Sequence, residues 1–126
     1  MIPSARLFLT LGSLGMFLAV AAGAFGAHAF KKTLDPELLA VYQTAVHYHV
    51  YHALGLLVVG LLALHVPLTA PLRWAGWLLV VGLVLFSGSL YMLSLTGMRG
   101  LGIITPFGGA AFLAAWLLLG IAVLRS

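Results

Sequence analysis

The chain has 126 residues, 63% of them apolar and 6% charged, and six Lys/Arg against two Asp/Glu give a formal charge of +4. Soluble domains carry about 25% charged residues, so this sequence cannot furnish a water-facing surface, and a soluble catalytic domain is excluded. Its length accommodates a single membrane domain of about four spans of about 20 residues each.

The six cations are scattered and form no phosphate-binding patch, which argues against a nucleic-acid partner. Cysteine is absent, which removes disulfides, thiolate nucleophiles, iron–sulfur clusters and Cys-type zinc sites.

Between Arg6 and Lys31 no charged residue occurs, and Leu7 to Phe30 is long enough to cross a bilayer core as a helix. This predicts a first span over residues 7–30. Ala27-His28-Ala29 has the form of a signal-peptidase site, but the apolar stretch exceeds the usual 7–15-residue core of a signal peptide, so it reads as an uncleaved span. Asp35, Pro36 and Glu37 then read as N-cap, N1 and N2 of a second helix. Residues 36–66 exceed a membrane thickness, so 36–44 is expected in the interface, or to break from the rest near His47, with the span proper at 45–66. Pro67, Thr69 and Pro71 form a turn. Residues 72–96 make a third span opened by Arg73, with Trp74 and Trp77 as interfacial anchors. After Gly97 to Gly100, Thr105 and Pro106 repeat the N-cap and N1 signature, and residues 106–124 form a fourth span ending at Arg125.

The predicted fold is therefore all-α: a four-helix transmembrane bundle in one domain, with both termini on one side. Call that side A, and the side bearing loops 31–37 and 97–105 side B. Arg6, Arg73 and Arg125 flank side A, and Lys31, Lys32 and Arg99 flank side B, so the positive-inside count is tied and sets no orientation.

The topology gathers the unusual polar segments toward side B. If the bundle is compact, His28, His52, Ser87, Ser89, Tyr91, Arg99, Thr105, Gly108 and Gly109 line a polar cavity there that could hold a ligand. His28, His49 and His52 are the only set from which a metal or haem site could be assembled, since His49 and His52 share a helical face. The plainer reading of the His/Tyr run is an interfacial belt of hydrogen-bonded side chains. Ser87, Tyr91 and Ser94 form a stripe that reads as interhelical hydrogen bonding. Ser87 could meet a histidine, but both carboxylates lie in a loop, so hydrolase chemistry is not expected. Gly100 to Gly109 could receive a headgroup phosphate at a helix start assisted by Arg99, or could simply make a tight turn. Small residues at Gly15, Ala19, Gly23 and Ala27 predict close helix packing inside the bundle rather than a dimer seam, and Gly108 to Ala111 suggest that span four meets span one.

With Gly23-Ala24-Phe25-Gly26-Ala27-His28-Ala29, Tyr51-His52-Ala53-Leu54, Phe86-Ser87-Gly88-Ser89-Leu90-Tyr91 and Thr105-Pro106-Phe107-Gly108-Gly109 in this order, the chain resembles the domain-of-unknown-function-423 family of small bacterial inner-membrane proteins, the YgdD-like proteins, which have eukaryotic relatives. The resemblance covers nearly the whole chain. It implies four transmembrane helices and multi-pass residence in the bacterial inner membrane, and carries over no catalytic residue. The family pattern includes the positions of His28 and His52, whereas His47 and His49 look like additions.

The expected function is that of a small, non-enzymatic membrane protein without a cofactor: a structural or accessory subunit, or a binder of a lipid or other hydrophobic ligand. Its expected partners are membrane lipids, with a second copy or a larger membrane complex as further candidates. A His-ligated metal or haem protein is the alternative, and a small transporter or proton-conducting component the third reading.

Overall fold

A computed structural model describes all residues, Met1 to Ser126, and contains four long helices and no strand. They are α1 (Pro3–Thr33), α2 (Pro36–His65), α3 (Ala70–Thr96) and α4, which follows a 3-10 turn at Arg99–Ile103 and runs over Thr105–Leu124. All four are long and apolar enough to cross a membrane. Successive spans reverse direction, which puts both termini at side A.

Helix α2 begins where its capping residues require. Asp35 is extended and its carboxylate accepts from the Leu38 amide at 2.9 Å, while Pro36 takes the first helical position. From there the helix continues unbroken to His65, so the expected break near His47 does not occur. After Pro36 no proline or glycine lies in its first five turns, and nothing interrupts the ladder there. At the start of α4 the expected cap is absent. Thr105 is itself helical, Ile104 before it already has helical dihedrals from the preceding 3-10 turn, and no side chain caps the end. Gly97, with φ of 73°, ends α3 in the left-handed conformation that glycine adopts without strain.

Two helices contain a widened π-turn, at Gly26–Phe30 in α1 and at Leu83–Ser87 in α3. Each holds an extra residue in a turn and so shifts the faces that follow it.

The helices form two antiparallel hairpins, α1 with α2 and α3 with α4, joined along a seam between α2 and α3. The first hairpin closes on glycines. A Cβ at Gly12 would lie 2.8 Å from the Leu57 side chain, one at Gly15 3.1 Å from Ala53, and one at Gly26 2.7 Å from the Tyr42 ring. The small-residue stripe of α1 is thus consumed by α2. The second hairpin closes on Gly82, which faces Phe112, and on Gly108, which faces the backbone of Phe86. Span four therefore packs on span three, not on span one. The smooth face at Gly108 fits the convex backbone of the α3 π-turn, and α1 already has its partner.

The apolar core fills the side A half and reaches the middle of the bundle at Phe112: Phe8, Leu56, Val59, Leu72, Leu79 and Leu119 with small residues between them. Toward side B the helices are joined by polar bonds instead. Tyr42 donates to the Ala22 carbonyl (2.5 Å), Ser87 to the Ala45 carbonyl (3.0 Å), and the Ser89 and Thr105 hydroxyls meet at 2.6 Å. At the side B surface Arg99 grips the Glu37 carboxylate through both terminal nitrogens (2.9 and 3.3 Å), tying the third connection to the start of α2. That guanidinium, by hydrogen bond and charge, holds the Glu37 carboxyl below its ordinary value of 4.5.

Two outcomes follow from this packing. Gly108→Ala puts a methyl group against the Phe86 backbone, which cannot swing aside, and should cost about 1–3 kcal/mol in reversible unfolding in detergent. Gly120→Ala, which meets nothing within 4 Å, should be neutral or better. The Glu37–Arg99 clamp has its own pH signature. Because the folded carboxyl titrates below 4.5, its contribution is complete above that value and is lost as pH falls through the lowered one. Melting curves between pH 6 and pH 3 should therefore show a small acid-side loss that disappears in Glu37→Gln. The loss should shrink in high salt, since both side chains are 68% exposed.

Candidate functional site

The nine candidate ligand-binding residues are dispersed among several environments. His28 is exposed on the outer face of α1, in a shallow depression with Ala24 and Phe25. Arg99 is engaged by Glu37 at the surface. Ser87 is 2% exposed and spends its hydroxyl on Ala45, and Ser89 spends its own on Phe86 and Thr105. Tyr91 bonds His49 Nδ1 at 2.8 Å. Gly108 and Gly109 are contact points for Phe86. Ser89 and Thr105, and Phe86 with the two glycines, are brought together; His28 and Arg99 are not brought to them.

The histidines are separated by the antiparallel register of α1 and α2. Gly12 faces Leu57, Gly23 faces Val46 and Gly26 faces Tyr42, so His28 stands level with Ala40 and Val41. His52 lies eleven or twelve residues further along α2, about 17 Å away along the axis. His49 turns toward α1 and α3, and His52 toward α4. No group of three His, Asp or Glu side chains is close enough to hold a metal ion.

What the fold builds is a groove around His52. Between α2 and α4 lies an opening of about 570 Å³ floored by Phe86 of α3 and walled by Tyr48 and His52 on one side and Phe112, Leu113 and Trp116 on the other. The His52 ring lies flat on Phe112, centroids 3.4 Å apart and planes 9° from parallel, and nearly parallel to Tyr48 on the same helix. Phe86 packs against both Tyr48 (4.5 Å) and Phe112 (5.5 Å), closing a ring of aromatic contacts. A smaller groove of about 240 Å³ lies on the other flank of α2, between α1 and α3, with His49 in its wall.

The imidazole of His52 is 5% exposed, and its protonation pattern is fixed by one bond. Nδ1 is 2.6 Å from the Tyr48 carbonyl, which can only accept, so Nδ1 carries the proton. The neutral ring then has its lone pair on Nε2. That nitrogen has no partner in the protein, and since no buried side-chain nitrogen is left unpartnered, it opens into the groove. Its depth is unusual for a polar group. Arg6 on α1 stands level with Leu62 and Ala63 at the side A boundary, and His52 lies about ten residues, or about 15 Å, inside it, half the hydrocarbon thickness of about 30 Å.

The polar run marks out His52 in the sequence, whereas its aromatic surroundings belong to three different helices. The available signals were two spacings of four, Tyr48 with His52 and Phe112 with Trp116, each of which puts both rings on one helical face. Phe86 had no such signal, because its direction is set by the π-turn.

Comparison with known proteins places the whole chain. Residues 22–109 match the family described as "Protein of unknown function (DUF423)". A UPF0382 membrane protein of Staphylococcus epidermidis is 47% identical over 120 residues, covering 95% of this chain and 97% of the relative. The UPF0382 membrane protein YwdK of Bacillus subtilis is 46% identical over 120 residues, covering 95% and 98%. No solved structure matches. With four spanning helices and relatives named as bacterial membrane proteins, this is a multi-pass membrane protein, and the chain belongs to the DUF423 family.

Proposed function

We propose that the protein is a non-enzymatic membrane protein that holds a membrane-dissolved hydrophobic molecule in the groove between α2 and α4. The observation that carries this is the groove itself: a concave, aromatic-lined space open to the bilayer, with one unpartnered polar atom in its wall. In a close-packed bundle such a space would be filled by side chains. Here Gly109 and Ala110 keep the α4 wall low.

The absence of catalysis in this reading rests on chemistry. Ser87 has no base, its hydroxyl being committed to a backbone carbonyl, and Asp35 and Glu37 stand at the side B surface away from both grooves. In this reading the binding space is the groove nearer the middle of the bundle rather than a polar cavity at the side B end, where the hydroxyls bond to one another and to backbone.

Filling the groove tests the proposal. Native mass spectrometry of the protein extracted in mild detergent should show a retained hydrophobic adduct. Ala110→Trp, at an exposed groove position, should reduce that adduct at least fivefold while leaving the melting temperature within about 3 °C. No adduct in the parent protein, or an unchanged one in the variant, would count against it.

A further inference from the structure

A phospholipid cannot satisfy His52. Its headgroup stays at the interface, about 15 Å from the level of Nε2, so at that depth it offers only methylene groups. An imidazole nitrogen left facing hydrocarbon loses a hydrogen bond that it would have in water, which is unfavourable. The occupant that removes this cost is uncharged, dissolves in the bilayer interior and brings a hydroxyl to the midplane. The walls add a second requirement. Phe86, Phe112 and Trp116 present flat aromatic surface around the nitrogen, and aromatic surface pairs best with another ring.

Resting on the groove reading above, we infer that the ligand is a phenolic or hydroquinone ring on a long apolar tail, its hydroxyl donating to Nε2 of His52, its ring lying against Phe86 and Trp116, and its tail leaving the groove into the bilayer. Three features of the protein favour this class over an acyl chain. The His52 side chain is buried overall, yet its Nε2 has no partner and is the part of the ring left open, so it is presented only to what enters the groove. The proton on Nδ1 is pinned by the Tyr48 carbonyl, which keeps the lone pair on the groove side. The Phe112 stack holds the ring plane fixed, so the acceptor direction does not wander. Only binding is involved, and no electron or proton leaves the ligand.

The discriminating pair of probes is a decyl-substituted benzohydroquinone and the corresponding benzoquinone, which differ in the donor and little in shape. In nanodiscs of phosphatidylcholine, with Trp74 and Trp77 replaced by Phe, Trp116 is the one remaining tryptophan and reports on the groove. Under anaerobic conditions the hydroquinone should bind about tenfold more tightly than the quinone, the worth of one hydrogen bond to a buried acceptor. His52→Phe, which keeps a ring on Phe112 but removes the acceptor, should bring the hydroquinone down to the level of the quinone and change quinone binding less than threefold. Should that variant fold poorly, the parent protein still answers. The 15N resonance of His52 Nε2 should shift toward that of a hydrogen-bonded nitrogen with the hydroquinone and stay in place with the quinone. Equal binding of the two probes with an unmoved Nε2 resonance overturns the hydroxyl assignment and leaves the groove reading intact. Dodecanol binding as tightly as the hydroquinone overturns the aromatic head. Failure of both ring probes, dodecanol and dodecylbenzene to bind overturns the groove reading with it.

Discussion

Inside a bilayer, helices gain little by hiding apolar side chains from one another, because the lipid is as apolar as they are. What holds this protein together must therefore be close van der Waals contact and interhelical hydrogen bonds, and the contact between Gly108 and the Phe86 backbone shows what that requires. Two backbones meet there with no side chain between them. The contact sets the distance between α3 and α4, brings Thr105 within 2.6 Å of Ser89, and turns the Phe86 ring outward to form the floor of the groove. A larger residue at position 108 would separate the helices and loosen all three arrangements together.

The two halves of the molecule are held by different physics. At side A, Phe8, Leu56, Leu79 and Leu119 interlock around alanines, and the helices are packed on several sides. Toward side B, close contacts at Gly26 and Gly108 are supplemented by directional bonds: Tyr42 to Ala22, Ser87 to Ala45, Tyr91 with His49, Ser89 with Thr105, Arg99 with Glu37. A hydrogen bond between membrane helices is worth about 0.6 kcal/mol on average, so these bonds add modestly to the close contacts beside them. Grooves open between the helices on each flank of α2.

Much of this was legible in the sequence because membranes impose simple rules. Span length, the charged residues at the loops and the Asp35-Pro36-Glu37 helix start needed only hydropathy and capping chemistry. The stripe at Gly15 and Gly23 announced a close helix contact, and α2 supplies it. What failed did so at identifiable points. Thr105 looks like a cap, but a 3-10 turn had already placed Ile104 in helical conformation, and the hydroxyl was free to bond Ser89. Gathering His28 with His52 presumed that residues assigned to one end of a bundle share a level; antiparallel register puts them about 17 Å apart. The π-turn at Leu83–Ser87 is bracketed by Gly82 and Gly88, but flanking glycines do not by themselves specify an extra residue in a turn, so the direction of Phe86, and with it the groove, could not be read from spacing.

That π-turn also fixes how the chain tolerates change in length. One residue in an α-helix corresponds to about 100° of rotation, and the turn stores one such residue between the part of α3 that packs in the side A core and the part that bears Ser89, Tyr91 and Ser94. Deleting a residue anywhere in Leu83–Ser87 would let the segment relax to an ordinary helix, but every later side chain would then rotate by that angle about the helix axis. Ser89 would swing from Thr105, and Tyr91 from His49. A length change that most loops absorb without consequence would here act as a rotational dislocation in the middle of the membrane, leaving composition and hydropathy almost untouched.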